Sequence, residues 1–178
     1  MAAIRHRLFF ALRPPPRQRN LIGWQRDALA GDTPVANDRL HLTLGVTPDF
    51  ASPPGAAART LIEIGRSIQA DPPRIRLDRL AASNRSVALR PSRNIPPLTD
   101  LGRDIANRLR RTGLLRERWD FHPHVTLLYR DGPPYQHAIE PIWWDAGEFV
   151  LIHSLVGATQ HVELARWPLT SRQLPLAL

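Results

Sequence analysis

The sequence predicts an α+β fold built from two similar lobes. Strand and helix periodicities alternate along the chain in the order β-α-β-α-β-β-α-β-β-β, and one short His-x-Thr-Leu motif occurs twice, 83 residues apart. No low-complexity segment or long linker separates the two copies. We therefore expect residues 1–178 to form one domain in which the two motif strands face each other across a cleft.

Prolines and glycines separate the predicted elements of the first half. The prolines at 14–16 end a nearly continuous apolar run and also suit the first turn of a helix. In that helix Leu21, Trp24 and Ala28 recur at helical spacing, so we expect them in the core. A second helix follows the Pro-Pro-Gly run at 53–55. The first half is thus predicted to contain strands at 7–13 and 39–47 and helices near 21–29 and 57–68.

Apolar spacing also predicts the elements of the second half. Ile75, Leu77 and Leu80 indicate a strand, and a turn at 83–85 leads into the next strand. Apolar residues then recur every three or four positions up to Gly113, which predicts the third helix. The full set is a helix at 98–109 and strands at 75–80, 86–90, 120–129, 147–155 and 160–167.

The two motifs are His41-Leu42-Thr43-Leu44 and His124-Val125-Thr126-Leu127. Side chains on a strand alternate between its two faces, so each histidine shares a face with the threonine two positions later. The intervening apolar side chains point to the opposite face, where they can pack in the core. Two imidazoles and two hydroxyls are therefore predicted to line one cleft.

These side chains suit attack on a phosphodiester. Histidine titrates near neutral pH, so one imidazole can remove a proton from the nucleophile while the other gives a proton to the leaving oxygen. A threonine hydroxyl beside each histidine can donate a hydrogen bond to a non-bridging phosphate oxygen. None of these roles requires a metal or another cofactor.

The composition restricts both chemistry and partners. The chain has no cysteine, which excludes disulfides, thiolate catalysis and cysteine-based zinc sites, and no lysine, which excludes a Schiff base and a P-loop. All 24 basic residues are arginine, and the net charge of +8 predicts attraction to polyanions such as RNA. The apolar stretch at 8–12 is too short for a signal sequence or a membrane span. We expect a cytoplasmic monomer without a membrane partner.

Five segments carry a resemblance to a known family. They are Arg7-Leu8-Phe9-Phe10-Ala11-Leu12, Leu40-His41-Leu42-Thr43-Leu44, Phe121-His122-Pro123-His124-Val125-Thr126-Leu127-Leu128, Phe149-Val150-Leu151 and Arg166-Trp167-Pro168-Leu169. With them the chain resembles the two-histidine (2H) phosphoesterase superfamily, and within it the RNA 2',3'-cyclic phosphodiesterases, also called 2'-5' RNA ligases. The resemblance extends over nearly the whole chain, and the two motifs are its most specific part.

The resemblance implies a bilobal fold with two pseudo-symmetric lobes of antiparallel sheet, helices on the outside and a V-shaped central cleft that holds both motifs. It implies hydrolysis of RNA-terminal 2',3'-cyclic phosphate to 2'-phosphate and reversible joining of RNA ends through a 2'-5' bond. The partners would be RNA ends or nucleotides that carry this cyclic phosphate. The family's functional residues correspond to His41 and His124 as catalysts and to Thr43 and Thr126 as phosphate ligands. We take His124 as the base and His41 as the acid, an order that the sequence itself leaves open.

The chain departs from the family at one position of the phosphate site. The family commonly has an arginine five residues after its second histidine, but here Tyr129 occupies that place and Arg130 follows it. A one-residue step along a strand turns a side chain to the other face. We expect either a bulge that returns Arg130 to the cleft as a substrate ligand, or another arginine, Arg39 or Arg13, in that role.

Other functions stay open at this point. His41, His122 and His124 are candidate zinc or iron ligands, although such a site needs a further ligand and leaves the threonines without a role. A non-catalytic RNA-binding protein would use the basic surface alone. Within the enzyme class, a small cyclic nucleotide or a 2'-5' oligonucleotide is the alternative substrate. Four histidines without a surrounding motif are expected at the surface: His6, His137, His153 and His161.

Overall fold

The computed structural model describes residues 4–29 and 33–171. Within these ranges the chain forms nine strands, three α-helices and one 3-10 turn. They are β1 (Arg5–Leu12), α1 (Pro16–Asp27), β2 (Thr33–Pro34), the 3-10 turn Asn37–Arg39, β3 (Leu42–Val46), α2 (Gly55–Ser67), β4 (Arg74–Ala82), β5 (Ser86–Arg90), α3 (Pro96–Arg111), β6 (Val125–Tyr129), β7 (Tyr135–Asp145), β8 (Glu148–Val156) and β9 (Gln160–Pro168). None of the described helices is both long and apolar enough to cross a membrane.

The strands form one antiparallel sheet with two four-stranded halves. The order is β7-β4-β5-β6-β3-β1-β8-β9, and the short β2 adds to β6. The halves meet between β6 and β3, where Leu42 and Val125 are the single registered pair. We call this meeting point the seam. Because each motif histidine directly precedes one of these two residues, the seam brings both motifs together and confirms the predicted two-lobed α+β architecture.

The central strand β1 is apolar on both faces. Leu8, Phe10 and Leu12 belong to the main core, which also contains buried side chains of all three helices. Phe9 and Ala11 point to the other face, where they join a smaller apolar cluster against which Trp119 packs. Burial of each large apolar side chain stabilises the fold by about 1.5–3 kcal/mol. The continuous apolar run in the sequence therefore reflects a strand covered on both sides.

The helix α3 packs directly on the motif strand β3. A Cβ atom at Gly45 would lie 2.9 Å from side-chain carbons of both Ile105 and Leu109. Carbon atoms pack best at about 3.5–4.0 Å, so a side chain at this position requires the helix to move away. Glycine thus permits the close contact that supports the strand behind the cleft.

The structure corrects several element boundaries and assignments. Both motif strands begin one residue after their histidine, at Leu42 and Val125, because a 3-10 turn precedes the first and an irregular segment precedes the second. No sequence pattern predicted β7, which lies at the edge of the sheet, contains Pro141 and is mostly exposed. Trp24 and Ala28 were expected in the core, but both are exposed, Trp24 by 68%.

Candidate active site

The four predicted motif side chains line one cavity at the seam, with a volume of about 340 Å³. In each motif the apolar residue after the histidine is fully buried, which anchors the strand in the core. The threonine that follows it is half-buried on the cavity side. The alternation predicted from the sequence therefore brings together His41, Thr43, His124 and Thr126.

Both histidines are oriented by the same type of hydrogen bond. The Nδ1 of His41 lies 2.6 Å from the carbonyl oxygen of Arg39, and the Nδ1 of His124 lies 2.6 Å from that of His122. A carbonyl oxygen only accepts, so Nδ1 is the donor in each case. The neutral ring then has an unprotonated Nε2, which can accept a proton from a bound reactant.

Burial lowers the pKa of both histidines. The pKa of His41 falls to about 4, mainly through burial. The charges of His161, His124 and Arg13 contribute to this lowering, and the hydrogen bond to the Arg39 carbonyl opposes it. Burial also lowers the pKa of His124, with the charge of Arg90 acting in the same direction. At pH 7 both imidazoles are therefore neutral in the free protein.

Two rings hold the imidazole of His41. The Phe9 ring stacks on it with 4.7 Å between centroids, and His161 meets it edge-on at 5.4 Å. The prediction that His161 lies at the surface is wrong, because this residue is half-buried and lines the cavity. Burial, together with the charges of Arg39 and Arg13, lowers its pKa to about 4. Exposure alternates along β9, and His161 lies on its less exposed face.

Among the described residues, the cavity is lined by basic side chains and by no acidic ones. Its arginines are Arg7, Arg39 and Arg116. Arg39, one of the two substitutes considered for the missing family arginine, forms no ion pair with any residue that the structure describes. Arg13, the other, does not line the cavity, and its guanidinium lies 3.8 Å from Glu163. Neither Arg7 nor Arg116 was predicted from the sequence to line the cavity.

A β-bulge determines which residue after the second motif reaches the cavity. On β5, Ala88 pairs with Thr126 of β6, but its neighbour Val87 pairs with Leu128. Leu127 therefore has no partner on β5 and is the extra residue of the bulge. Leu127 and Leu128 are consequently both buried. Tyr129 then points to the same side as Thr126 and lines the cavity.

Arg130 lies outside the cavity. Its Nη2 donates to the carbonyl oxygen of Pro133 at 2.8 Å, and its guanidinium lies 5.2 Å from the ring centre of Tyr135. The expected bulge exists, but it turns Tyr129 rather than Arg130 toward the motif residues. The structure therefore supplies no contact for Arg130 as a substrate ligand.

The three histidines considered as metal ligands do not form a common site. His122 is exposed, does not line the cavity, and its Nε2 lies 3.0 Å from the carboxylate of Asp120. Among the residues that the structure describes, no group of three histidine, cysteine or acidic side chains is arranged to hold a metal ion. The ligand set that the metal-binding alternative requires is not assembled here.

The family follows from comparison with known proteins. A family model described as the 2'-5' RNA ligase superfamily matches residues 14–158. The chain belongs to the 2'-5' RNA ligase superfamily. This superfamily member is 30% identical to the RNA 2',3'-cyclic phosphodiesterase of Escherichia coli (strain K12), an alignment that covers 92% of this chain and 97% of the relative.

Solved structures agree with this 2'-5' RNA ligase assignment. The crystal structure of E. coli LigT complexed with 3'-AMP superposes with a TM-score of 0.76 at 29% identity, covering 94% of this chain and 99% of that one. The crystal structure of a protein from Thermus thermophilus gives a TM-score of 0.72 at 18% identity, with coverage of 94% and 100%, and supports the fold alone. The bilobal fold implied by the resemblance is confirmed.

Proposed function

We propose that this protein hydrolyses RNA-terminal 2',3'-cyclic phosphate to 2'-phosphate by metal-independent acid-base catalysis. The observation that carries the proposal is the equivalence of His41 and His124. Each has its Nδ1 bonded to the carbonyl two residues earlier, each precedes a threonine on the cavity side, and both line one cavity. The name of the E. coli relative supports the substrate class.

In the proposed reaction His124 is the base and His41 is the acid. The Nε2 of His124 accepts a proton from water while the water oxygen forms a bond to phosphorus. The bond between phosphorus and the 3'-oxygen breaks on the opposite side, and His41 gives its proton to that oxygen. The products are a 2'-phosphate and a free 3'-hydroxyl, so one water molecule is consumed and both protons are accounted for.

Ligation uses the same steps with a different nucleophile. When the 5'-hydroxyl of a second RNA takes the place of water, its oxygen bonds to phosphorus and a 2'-5' linkage forms. Water is present at about 55 M, so hydrolysis dominates unless the cleft positions the hydroxyl. Ligation is therefore proposed as a secondary and reversible activity.

The proposed acid is protonated when substrate binds. Burial holds the pKa of His41 at about 4 in the free protein, with His161 and His124 adding to that effect. A phosphate anion beside the imidazole favours its charged form and raises the pKa. Binding of the anionic substrate is thus coupled to uptake of the proton that the leaving oxygen later receives.

The phosphate ligands in this proposal are Thr43, Thr126 and Arg39. The two hydroxyls flank the catalytic imidazoles and donate to non-bridging oxygens, whose charge increases in the transition state. Arg39 lines the same cavity and supplies a guanidinium in place of the missing family arginine. The exposed ring of Tyr129 is placed to stack on the terminal nucleobase.

The test uses short RNA with a terminal 2',3'-cyclic phosphate, incubated with the protein in EDTA. We expect a 2'-phosphate product, together with loss of turnover but retained RNA binding in His41→Ala and His124→Ala. A 3'-phosphate product would contradict the mechanism, and activity that disappears in EDTA would indicate a metal. Turnover of cyclic mononucleotides or 2'-5' oligonucleotides without turnover of RNA ends would assign one of the alternative substrates. Binding without any turnover would identify a non-catalytic RNA-binding protein.

A further inference from the structure

One carboxylate holds two arginines at the edge of the cavity. Asp49 accepts hydrogen bonds from the Nε and Nη2 of Arg7 at 2.7 and 2.9 Å, and Arg116 donates its Nη2 to the same carboxylate. Both arginines line the cavity, whereas Asp49 does not. Two positive charges thus share one negative charge, and the excess positive charge faces the cavity.

The two guanidiniums keep donors that nothing in the described chain uses. Arginine has five N–H donors in a planar fork that matches a phosphate. Asp49 occupies the Nε and one Nη2 hydrogen of Arg7, and one Nη2 hydrogen of Arg116. Among the described residues no other side chain or carbonyl accepts from either guanidinium. Asp49 therefore fixes the arginines in place and leaves donors for an anion, which reduces the entropy cost of binding.

The arginine pair is separated from the reacting phosphate. Arg7 lies on the cavity face of β1, two residues before Phe9, whose ring stacks on His41. The backbone N–H of Arg116 donates to the carbonyl of Val46 at 2.9 Å. Val46 is three residues beyond Thr43 on β3, a distance of about 10 Å along the strand. The pair thus lies farther along the cavity than the groups that contact the cyclic phosphate.

We infer that Arg7 and Arg116, held by Asp49, form a second anion subsite for a phosphate of the substrate other than the reacting one. The inference rests on the proposed function and names the substrate more closely: an RNA end of at least two nucleotides, whose 5'-side phosphodiester occupies the subsite. A cyclic phosphate carries a single negative charge, which Arg39 and the threonines can bind. The other two arginines then serve a further phosphate, in a cavity whose described lining contains no acidic residue.

The test compares three substrates. They are adenosine 2',3'-cyclic phosphate, its 5'-phosphorylated form, and the dinucleotide ApA with a terminal 2',3'-cyclic phosphate. We expect kcat/KM to be about tenfold or more higher for the dinucleotide than for the unphosphorylated nucleoside, the effect of one or two charge-assisted hydrogen bonds. Arg7→Gln and Arg116→Gln should each reduce this ratio severalfold. Arg118→Gln is the matched control, because that side chain is 91% exposed and does not line the cavity.

The 5'-phosphorylated nucleoside distinguishes the sources of the second phosphate. A gain confined to the dinucleotide supports an internal phosphodiester. If the 5'-phosphorylated nucleoside shows the same gain in kcat/KM as the dinucleotide, and the gain depends on the two arginines, the anion subsite is supported but its assignment to RNA is overturned. The inference is overturned if the unmodified protein has the same kcat/KM for the dinucleotide and for the unphosphorylated nucleoside. It is also overturned if both arginine substitutions leave the ratio of these two values unchanged.

Product binding separates this inference from the proposed reaction. Calorimetry with adenosine 2'-phosphate and with ApA 2'-phosphate measures the contribution of the second phosphate without turnover. The protein could fail to hydrolyse all three substrates and still bind ApA 2'-phosphate more tightly than adenosine 2'-phosphate, through Arg7 and Arg116. That result would overturn the proposed function and leave the anion subsite standing. Equal affinities for the two products would overturn the subsite even in an active enzyme.

Discussion

Leu42 and Val125 are the single registered pair between β3 and β6, and each directly follows a motif histidine. In an antiparallel pair, the residue before one member of a registered pair lies opposite the residue after the other member. The histidine of each motif is therefore opposite the threonine of the other motif. Each imidazole therefore has one threonine two residues along its own chain and a second one across the seam. This arrangement supports the proposal that both hydroxyls bind one phosphate.

This crossed arrangement predicts that the two threonines contribute similarly. Thr43→Ala and Thr126→Ala should each lower kcat/KM for a 2',3'-cyclic phosphate by about 10- to 100-fold, because each removes one donor to the phosphate. Steady-state kinetics with the serine variants should show that the hydroxyl restores most of the activity. Thr60→Ala is the control, since that hydroxyl is exposed and bonds within α2. Full activity in either motif variant would remove that threonine from the site.

The low pKa of the buried histidines predicts that kcat/KM is highest at acidic pH. The pH dependence of kcat/KM reports the groups of the free enzyme. The proposed reaction needs one neutral and one protonated histidine. Burial lowers the pKa of His41 to about 4 and that of His124 below its ordinary 6.5. We expect kcat/KM to peak below pH 6.5 and to decline as the pH rises, because the fraction with a protonated acid decreases. A maximum above pH 7 would contradict the neutral state assigned to both rings.

A substitution next to His41 tests the origin of that low pKa. Burial is the main cause, and the edge-on ring of His161 adds to it. His161→Gln should raise the pKa of His41 and increase kcat/KM at neutral pH, because a larger fraction of the proposed acid is then protonated. Titration of the His41 ring by NMR measures the shift directly. The exposed His137 provides the control through His137→Gln, and a His41 titration curve identical in all three proteins would remove His161 from this role.

The motif residues could be predicted from the sequence because strand alternation is a local property. Knowing that His41 and Thr43 lie two positions apart on an extended segment is enough to put them on one face. It was also predictable that they face the second motif across the cleft, because the repetition of the motif indicated two facing lobes. The exact crossed pairing was not, since it depends on the register between β3 and β6.

The other cavity residues depend on contacts between distant parts of the chain. His161 reaches His41 because β9 and β3 lie on the same side of the seam, and Arg116 arrives through the segment after α3. No local pattern marks either residue. Tyr129 lines the cavity only because β6 bulges against β5, and a bulge is a property of the pairing rather than of one strand.

The bulge predicts a gain of function at Tyr129. Since this position points into the cavity, Tyr129→Arg should place beside the motif residues a guanidinium that can pair with the phosphate. Because a guanidinium also stacks on a base in place of the lost ring, the KM for a cyclic phosphate should fall severalfold. The same substitution should steepen the salt dependence of single-strand binding by about 0.7 in the log-log slope. Arg130→Gln should change neither quantity, because that side chain lies outside the cavity. A loss of affinity in Arg130→Gln would show that Arg130 reaches the substrate after all.

The close contact between α3 and the motif strand predicts a combined loss of stability and activity. A Cβ at Gly45 would lie 2.9 Å from Ile105 and Leu109, so Gly45→Ala forces the helix or the strand to shift, at a cost of about 1–3 kcal/mol. Gly147→Ala adds the same methyl group where no atom lies within 4 Å, and it should leave stability within about 0.5 kcal/mol. Because β3 carries Thr43 and follows His41, the displacement at Gly45 should also lower kcat under conditions where the protein is fully folded. Denaturant unfolding and single-turnover kinetics on the two variants separate these effects. A destabilised Gly45→Ala with undiminished kcat would show that the helix supports the fold without positioning the motif residues.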